Sequence, residues 1–198
     1  MRHCHVTTPG TLFDVALPEG FLYRDAFISD IEEQQLTVAI EHVEFAPFEM
    51  RGVVARRRVA FFGRTYGAEA AAAPPIPEFL HALRRRAADW IGLPEDAFVM
   101  ALVNEYSPGA PIGWHRDAPQ YGVVVGVSLL SPCRMVFRPY VSPANAAGMR
   151  TTRRATHAIR LEPRSAYLIS GTARSDYEHH IPAVKAPRYS VTFRTLRR

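Results

Sequence analysis

Four side chains in two short segments could share one ion. In IGWHRDAP, His115 and Asp117 stand two residues apart. On an extended strand alternate residues point to one face, so an imidazole nitrogen and a carboxylate oxygen can converge there. The segment YEHHIP offers a third donor in His179 or His180. Two histidines and a carboxylate leave three open positions on an octahedral iron(II), as oxygen-activating chemistry requires. His-x-Asp alone is not specific in a chain with 8 histidines. A lone buried histidine is more often a satisfied core residue.

The segment PRYSVTFRTL carries Arg188 and Arg194. Their even spacing puts both on one side of a strand. Two arginines in a core-forming strand are costly unless they meet anions. A guanidinium fork pairs with a carboxylate through two parallel hydrogen bonds. A dicarboxylic cosubstrate would satisfy both; structural salt bridges, or an edge strand in water, are the plainer alternative. In NEYSPG, Asn104 and Tyr106 share a face by the same alternation. Both can donate hydrogen bonds to a carboxylate, or they can simply end a strand before a Ser-Pro-Gly turn.

These residues need strands to position them. From Phe98 onward the chain reads FVMALVNEY, IGWHRD, VVVGVSLL, CRMVFRPY, THAIRLE, AYLIS, HHIPAV and RYSVTFRTL. Most of these runs are bounded by Pro, Gly, Ser or Asn, and together they predict a sandwich or jelly roll. No crossover-helix pattern separates them, which argues against a doubly wound parallel sheet. The first 95 residues read as mixed structure. Ser29 and Glu32 have capping-box spacing, and Leu36, Ala39, Ile40 and Val43 follow at helical intervals. A second helix is expected from about Pro77, with a stripe of Leu80, Leu83, Ala87, Trp90 and Ile91, stopped by Gly92 and Pro94. Between them, the Ala- and Pro-rich end of RRRVAFFGRTYGAEAAAAPPIP reads as a loop, as does the basic SPANAAGMRTTRRAT. The expectation is an α+β, mainly β chain: one domain over 1–198, with an extension at 1–95 and a β core at 96–198.

Composition limits the partners. The chain has 198 residues, 47% hydrophobic and 22% charged, as in ordinary globular proteins. No apolar run of membrane-spanning length occurs, and MRHCHVTTPGTLFDV lacks the apolar stretch of a secretory leader. Cys4 and Cys133 make neither a disulfide framework nor a zinc cluster. A cytoplasmic monomer is the expectation. The net charge of +5 raises the prior for a polyanionic partner, although a basic but uninvolved surface explains it equally well.

Taken in order, Asn-x-Tyr, His-x-Asp, His-x-Ile-Pro and Arg-Tyr-x-x-Thr-Phe-Arg resemble the AlkB family of iron(II)/2-oxoglutarate dioxygenases, from about Arg58 to Arg194. That resemblance implies a double-stranded β-helix, a jelly-roll relative, with iron(II), 2-oxoglutarate and dioxygen as cofactor and cosubstrates. It implies His115, Asp117 and His179 as iron ligands, His179 rather than His180 because the family's ligand stands three residues before the proline, here Pro182. Arg188 resembles the arginine on the distal carboxylate of 2-oxoglutarate, and Arg194 the one near the iron-chelating carboxylate. Asn104 and Tyr106 match cosubstrate-pocket residues. The implied activity is oxidative removal of alkyl groups from damaged DNA or RNA bases, such as 1-methyladenine, 3-methylcytosine or etheno adducts, releasing succinate, carbon dioxide and an aldehyde.

A target base must leave its stack to reach a buried site, and aromatic rings usually hold it. FFGRTYG resembles the family's substrate lid and offers Phe61, Phe62 and Tyr66, while Trp114 and Tyr177 flank the ligands. Ordinary core packing is the bland reading of all five. Phosphate contacts are expected from Arg56, Arg57, Arg58 and Arg64 and from the loop residues Arg150, Arg153 and Arg154. The chain departs from the family pattern in three places. Ala118, Pro119 and Gln120 stand where several members carry acidic residues, which bears on base selectivity. Ser190 replaces the family's common asparagine, which bears on cosubstrate affinity. Only Lys185 remains of a basic cluster between Pro182 and Arg188. Two other readings use the same residues: an oxygenase acting on a protein or small molecule, and a non-catalytic nucleic-acid-binding jelly roll.

Overall fold

Period-two alternation in the sequence becomes two antiparallel sheets in the computed structural model, which describes residues 17–50, 52–64, 73–142 and 155–197. The strands are β1 (Phe21–Arg24), β2 (Ala46–Met50), β3 (Val53–Phe62), β4 (Phe98–Tyr106), β5 (Ile112–His115), β6 (Tyr121–Leu129), β7 (Cys133–Pro139), β8 (His157–Leu161), β9 (Ala166–Ile169), β10 (Tyr177–Ile181) and β11 (Arg188–Leu196). The larger sheet has the order β1-β9-β6-β11-β4-β3-β2, the smaller β5-β10-β7-β8. Helices α1 (Asp30–Glu41), α2 (His81–Ile91) and the short α3 (Gly171–Ser175) accompany them, with 3-10 turns at Glu78–Leu80 and Glu95–Ala97. The fold is α+β, mainly β, a jelly-roll core with N-terminal helices packed on it.

Local chemistry fixes the helix ends. The Ser29 hydroxyl accepts from the Glu32 amide at 3.2 Å, and the Glu32 carboxylate accepts from the Ser29 amide at 2.8 Å. That reciprocal pair starts α1. Gly92, at φ 69°, ends α2 in the left-handed region that glycine enters freely.

Strand β11 shows how the sheet divides the molecule. Val191 and Phe193 face the helices and join Leu36, Ile40, Leu80, Leu83, Ala87, Val103, Val125 and Val127 in one apolar cluster. Burying a side chain such as Phe193 stabilises by ~1.5–3 kcal/mol. The alternate residues Arg188, Ser190, Thr192 and Arg194 face the small sheet and are also buried. Around them Phe21, Val124 and Ile169 pack against Met135, Phe137, Leu161 and Ile181. This polar strip lies inside an otherwise apolar sandwich.

All eight strand-like segments read after Phe98 are strands, and both predicted helices form. Strands β1, β2 and β3 were not read in the sequence. Pro47 and the Arg56–Arg58 run mask the alternation of β2 and β3, which pair at an edge of the sheet, where proline and charge are tolerated. Among the described residues no helix is long and apolar enough to cross a membrane.

Candidate active site

The small sheet brings two histidines together by register. His179 on β10 pairs with His115 on β5 and with Phe137 on β7. The two imidazole centroids lie 4.3 Å apart. His115 Nδ1 lies 2.9 Å from the Gly113 carbonyl, so with the proton on Nδ1 its Nε2 carries a free lone pair. His180 points to the other face of the sheet, where its ring centre lies 4.0 Å from that of Trp114 at a 38° tilt. Of the two candidate third donors, His179 is the one beside His115.

Asp117 reaches the pair by a route that strand alternation did not predict. Strand β5 ends at His115, and Asp117 lies in the turn beyond it. Its Oδ2 stands 3.8 Å from His179 Nε2. Its Oδ1 accepts from Arg194 Nη2 at 2.9 Å and from Nε at 3.3 Å. Burial would raise the carboxyl's pKa, but Arg194, His179 and His115 outweigh it and hold Asp117 well below the usual carboxylate range. Burial and the neighbouring His115 push His179 down to about 3, so its ring is neutral at pH 7. The contact with Asp117 is therefore no ion pair, and the site presents the neutral His179 imidazole, the His115 ring and one carboxylate. Among the described residues no three such donors are already drawn into a ready-made metal cage. The three are neighbours, and closing on an ion would bring them nearer.

Arg188 is the second anomaly of the polar strip. It is 1% exposed, and Nη2 donates to Ser128 Oγ at 3.0 Å. Its guanidinium carbon lies 4.8 Å from the Tyr106 ring centre. Among the described residues, no side chain or backbone group completes a hydrogen bond to its buried Nε or Nη1. A buried cation with open donors is costly unless an anion completes it. Arg194, by contrast, engages Asp117 and donates to Thr192 Oγ1 at 2.7 Å, so the salt-bridge alternative holds for it. The Asn104 amide group donates to Ser190 Oγ at 3.4 Å and its oxygen accepts from Arg57 Nε at 3.2 Å. The donor set suits iron(II), and the open guanidinium suits a carboxylate such as that of 2-oxoglutarate.

The other candidates separate by face. Phe61 pairs with Leu102 and clusters with Phe48, Val59, Met100, Tyr121 and Ala118, against the turn that carries Asp117. Phe62 turns to the opposite face and packs under the helices. Trp114 also points away from the site, between His180 and Arg138, whose guanidinium carbon is 4.0 Å from its ring. Neither Phe62 nor Trp114 is placed to hold a base, because alternation puts each one residue out of phase with the site. Tyr177 shares the inner phase of His179 and meets His157 edge-on at 5.8 Å. Arg58 pairs with Glu105 and lies over Phe45, away from the polar strip. Arg56 is exposed over Gly109, and Arg64 is exposed after Gly63. Tyr66, Arg150, Arg153, Arg154 and Cys4 lie outside the described residues.

Sequence reasoning missed Tyr167, Ser128, Phe48 and Arg174, and gave Arg57 only a phosphate role. Gly126 pairs with Tyr167, whose ring lies across it. Burial first, then Tyr106, push the Tyr167 phenol well above its ordinary value. The glycine inside the apolar run VVVGVSLL was the available signal, since a strand glycine often marks close approach.

Residues 43–194 match the 2OG-Fe(II) oxygenase superfamily. The chain is 29% identical over 194 residues to the alkylated DNA repair protein ALKBH8 homolog of Arabidopsis thaliana, covering 88% of this chain and 54% of that one. It thus spans about half the length of that relative. Among solved structures it resembles OsALKBH1, with a TM-score of 0.65 at 17% identity over 91% of this chain and 100% of that one. It also resembles a Pseudomonas putida prolyl-4-hydroxylase, at 0.57 and 15% over 90% and 93%. A 2OG-Fe(II) oxygenase-family oxidoreductase from Burkholderia pseudomallei gives 0.61 and 17% over 90% and 86%. These structural likenesses speak for the fold. With three quarters of its length inside the family match, this chain belongs to the 2OG-Fe(II) oxygenase superfamily, whose chemistry uses iron(II), 2-oxoglutarate and dioxygen.

Proposed function

We propose that this protein is an AlkB-like dioxygenase that removes alkyl groups from nucleic-acid bases. The observation that carries the reading is the polar strip itself. It sets an incomplete buried guanidinium, Arg188, on the same strand face as Arg194, which holds the carboxylate of the His115–Asp117–His179 trio. His115 Nε2, Asp117 Oδ2 and His179 Nε2 would hold iron(II). Arg188 and Ser128, with Tyr106 alongside, would seat the remote carboxylate of 2-oxoglutarate. Bound iron with 2-oxoglutarate and dioxygen supplies the oxidation that places a hydroxyl on the alkyl carbon, with succinate and carbon dioxide as coproducts. The chain orients these groups and keeps water from a site in which Asp117, His179, Arg188 and Arg194 are almost fully buried. A hydroxylated N-methyl group then falls apart into formaldehyde and the unmodified base.

Two features support nucleic acid as the substrate class. One is the named relative, an alkylated DNA repair protein homolog. The other is the aromatic wall of Phe48 and Phe61 beside the Asp117 turn, with the Arg57 guanidinium 4.3 Å over Phe48. A flipped base stacks on such rings, and the basic net charge favours a phosphodiester chain. The test is a mass-spectrometric repair assay. Oligonucleotides of DNA and RNA, single- and double-stranded, carry 1-methyladenine, 3-methylcytosine or ethenoadenine. Loss of the adduct, dependent on iron(II) and 2-oxoglutarate, is expected. Succinate formation that no such oligonucleotide stimulates would move the substrate to a protein or small molecule.

A further inference from the structure

We propose that Arg174 is a positioning residue that sets the backbone of the Asp117 turn and thereby the metal affinity of the site. The inference rests on the reading of Asp117 as a metal ligand. Arg174 lies in α3, five residues before His179. Its Nε donates to the Gly122 carbonyl at 3.1 Å. Its Nη2 is shared among the carbonyls of Asp117 at 3.2 Å, Ala118 at 2.7 Å and Tyr121 at 2.8 Å. Four carbonyl oxygens of one turn thus aim at a single guanidinium. Without a cation among them, like dipoles would face one another and the turn would open.

The turn has reason to need this. Asp117 is past the end of β5, so no ladder bond of that strand fixes it. Arg194 grips the carboxylate head, while Arg174 grips the main chain beneath it. Arg174 is itself held in place. Ala173, fully buried, donates its amide to the Glu19 carbonyl at 2.7 Å, and Arg116 Nη1 donates to the Ser175 carbonyl at 3.2 Å. Segment 171–175 leads directly into β10. One side chain therefore links the backbone that delivers His179 to the backbone that delivers Asp117. Lysine cannot replace it, because an ammonium lacks the planar fork that spans Gly122 and Ala118 together.

The experiment measures Ni(II) affinity, by competition with a chromophoric chelator, in the intact protein without 2-oxoglutarate. Ni(II) is chosen because it binds such sites more tightly than iron(II). Arg174→Gln and Arg174→Lys are each expected to weaken Ni(II) binding by about 10-fold or more, as loss of a group that orients a ligand typically does. In an Asp117→Ala background, Arg174→Gln is expected to change the affinity less than about twofold, because a residue acting through Asp117 has nothing left to position. A folded Arg174→Gln protein with native Ni(II) affinity overturns the proposal. So does an equal loss with and without Asp117, which would mark a merely structural role. If Arg174→Gln does not fold, Arg174→Lys decides by the same measurements; if neither folds, the role is structural and the proposal falls. Native affinity in Asp117→Ala alone would instead overturn the ligand assignment in the proposed function.

Discussion

Arg194 and Asp117 form a buried ion pair, Nη2 to Oδ1 at 2.9 Å, with both side chains less than one-tenth exposed. The pair occupies one carboxylate oxygen and leaves Oδ2 turned toward His179. Removing one partner of a buried pair leaves the other charged and uncompensated, at a cost of about 3–5 kcal/mol. Arg194→Met is expected to lose stability of that order and to raise the Asp117 pKa. Urea unfolding at pH 7 checks the first. A loss of less than about 1 kcal/mol would show that the pair does not hold the strip together.

Arg188 predicts the opposite balance. Among the described residues its Nε and Nη1 have no hydrogen-bond partner, so Arg188→Met removes a charge that these residues do not complete. Stability should stay within ~1 kcal/mol of the parent or rise. 2-Oxoglutarate binding, measured by calorimetry on the Ni(II)-loaded protein, should weaken at least about 30-fold, the equivalent of losing ~2 kcal/mol from a buried charge pair. Unchanged affinity would remove Arg188 from the cosubstrate site.

Gly126 exists to admit Tyr167. A Cβ on Gly126 would sit 2.2 Å from Tyr167 Cζ and 2.4 Å from its hydroxyl oxygen. Gly126→Ala must displace that ring, and overpacking of this kind costs ~1–3 kcal/mol. Tyr167→Ala should relieve the clash, so the double variant should be more stable than the sum of the single losses allows. Tyr167→Phe keeps the ring and should give no relief. Simple additivity in urea midpoints would place the strain elsewhere.

The reasons for success and failure in the sequence are physical. Strands after Phe98 alternate cleanly because one face meets helices and the other meets the small sheet, so β4 and β11 were read to within a residue. The same alternation identified Arg188 and Arg194 as inward-facing. It could not tell that Arg194 meets a carboxylate while Arg188, among the described residues, does not, since that depends on Asp117, 77 residues from Arg194. It also misjudged Asp117 itself, which reaches His179 through a turn rather than along a strand. Trp114 was grouped with the site because it flanks His115, and Phe62 because FFGRTYG resembles the family's substrate lid; each lies on the opposite face by a single residue. Arg174 was invisible because its partners are backbone carbonyls, which leave no trace in residue types.

Phe61 and Phe62 make that phase argument testable. Phe61 faces the cluster beside the Asp117 turn, whereas Phe62 packs against the helix-side core. Phe61→Ala should lower base repair while leaving Ni(II) and 2-oxoglutarate binding near native. Phe62→Ala should lower stability by up to ~3 kcal/mol, the low end for a phenylalanine truncation because it is only half-buried, and spare turnover of the folded fraction. The reverse pattern would mean that the substrate enters from the helix side.

The last prediction concerns acid, in the metal-free protein with chelator present. Folding lowers the His179 pKa from 6.5 to about 3, chiefly by burial. The unfolded chain therefore binds a proton on this histidine below about pH 6.5 that the folded protein refuses. Stability rises with pH wherever the unfolded state holds more protons. It should therefore be complete above pH 6.5 and fall steadily as the pH drops toward 3. His180, lowered by burial, Arg138 and Arg134, adds in the same direction. Asp117, also lowered, adds a further loss below its ordinary value of 3.8. Urea midpoints between pH 7.5 and 4.5 should decline, and His179→Gln should flatten much of the slope (both limits are chosen to bracket the histidine and exclude most of the aspartate). A parent protein whose midpoint does not move across that range would mean that His179 is not buried neutral, and that the imidazole the site offers to a metal is not held ready in the folded chain.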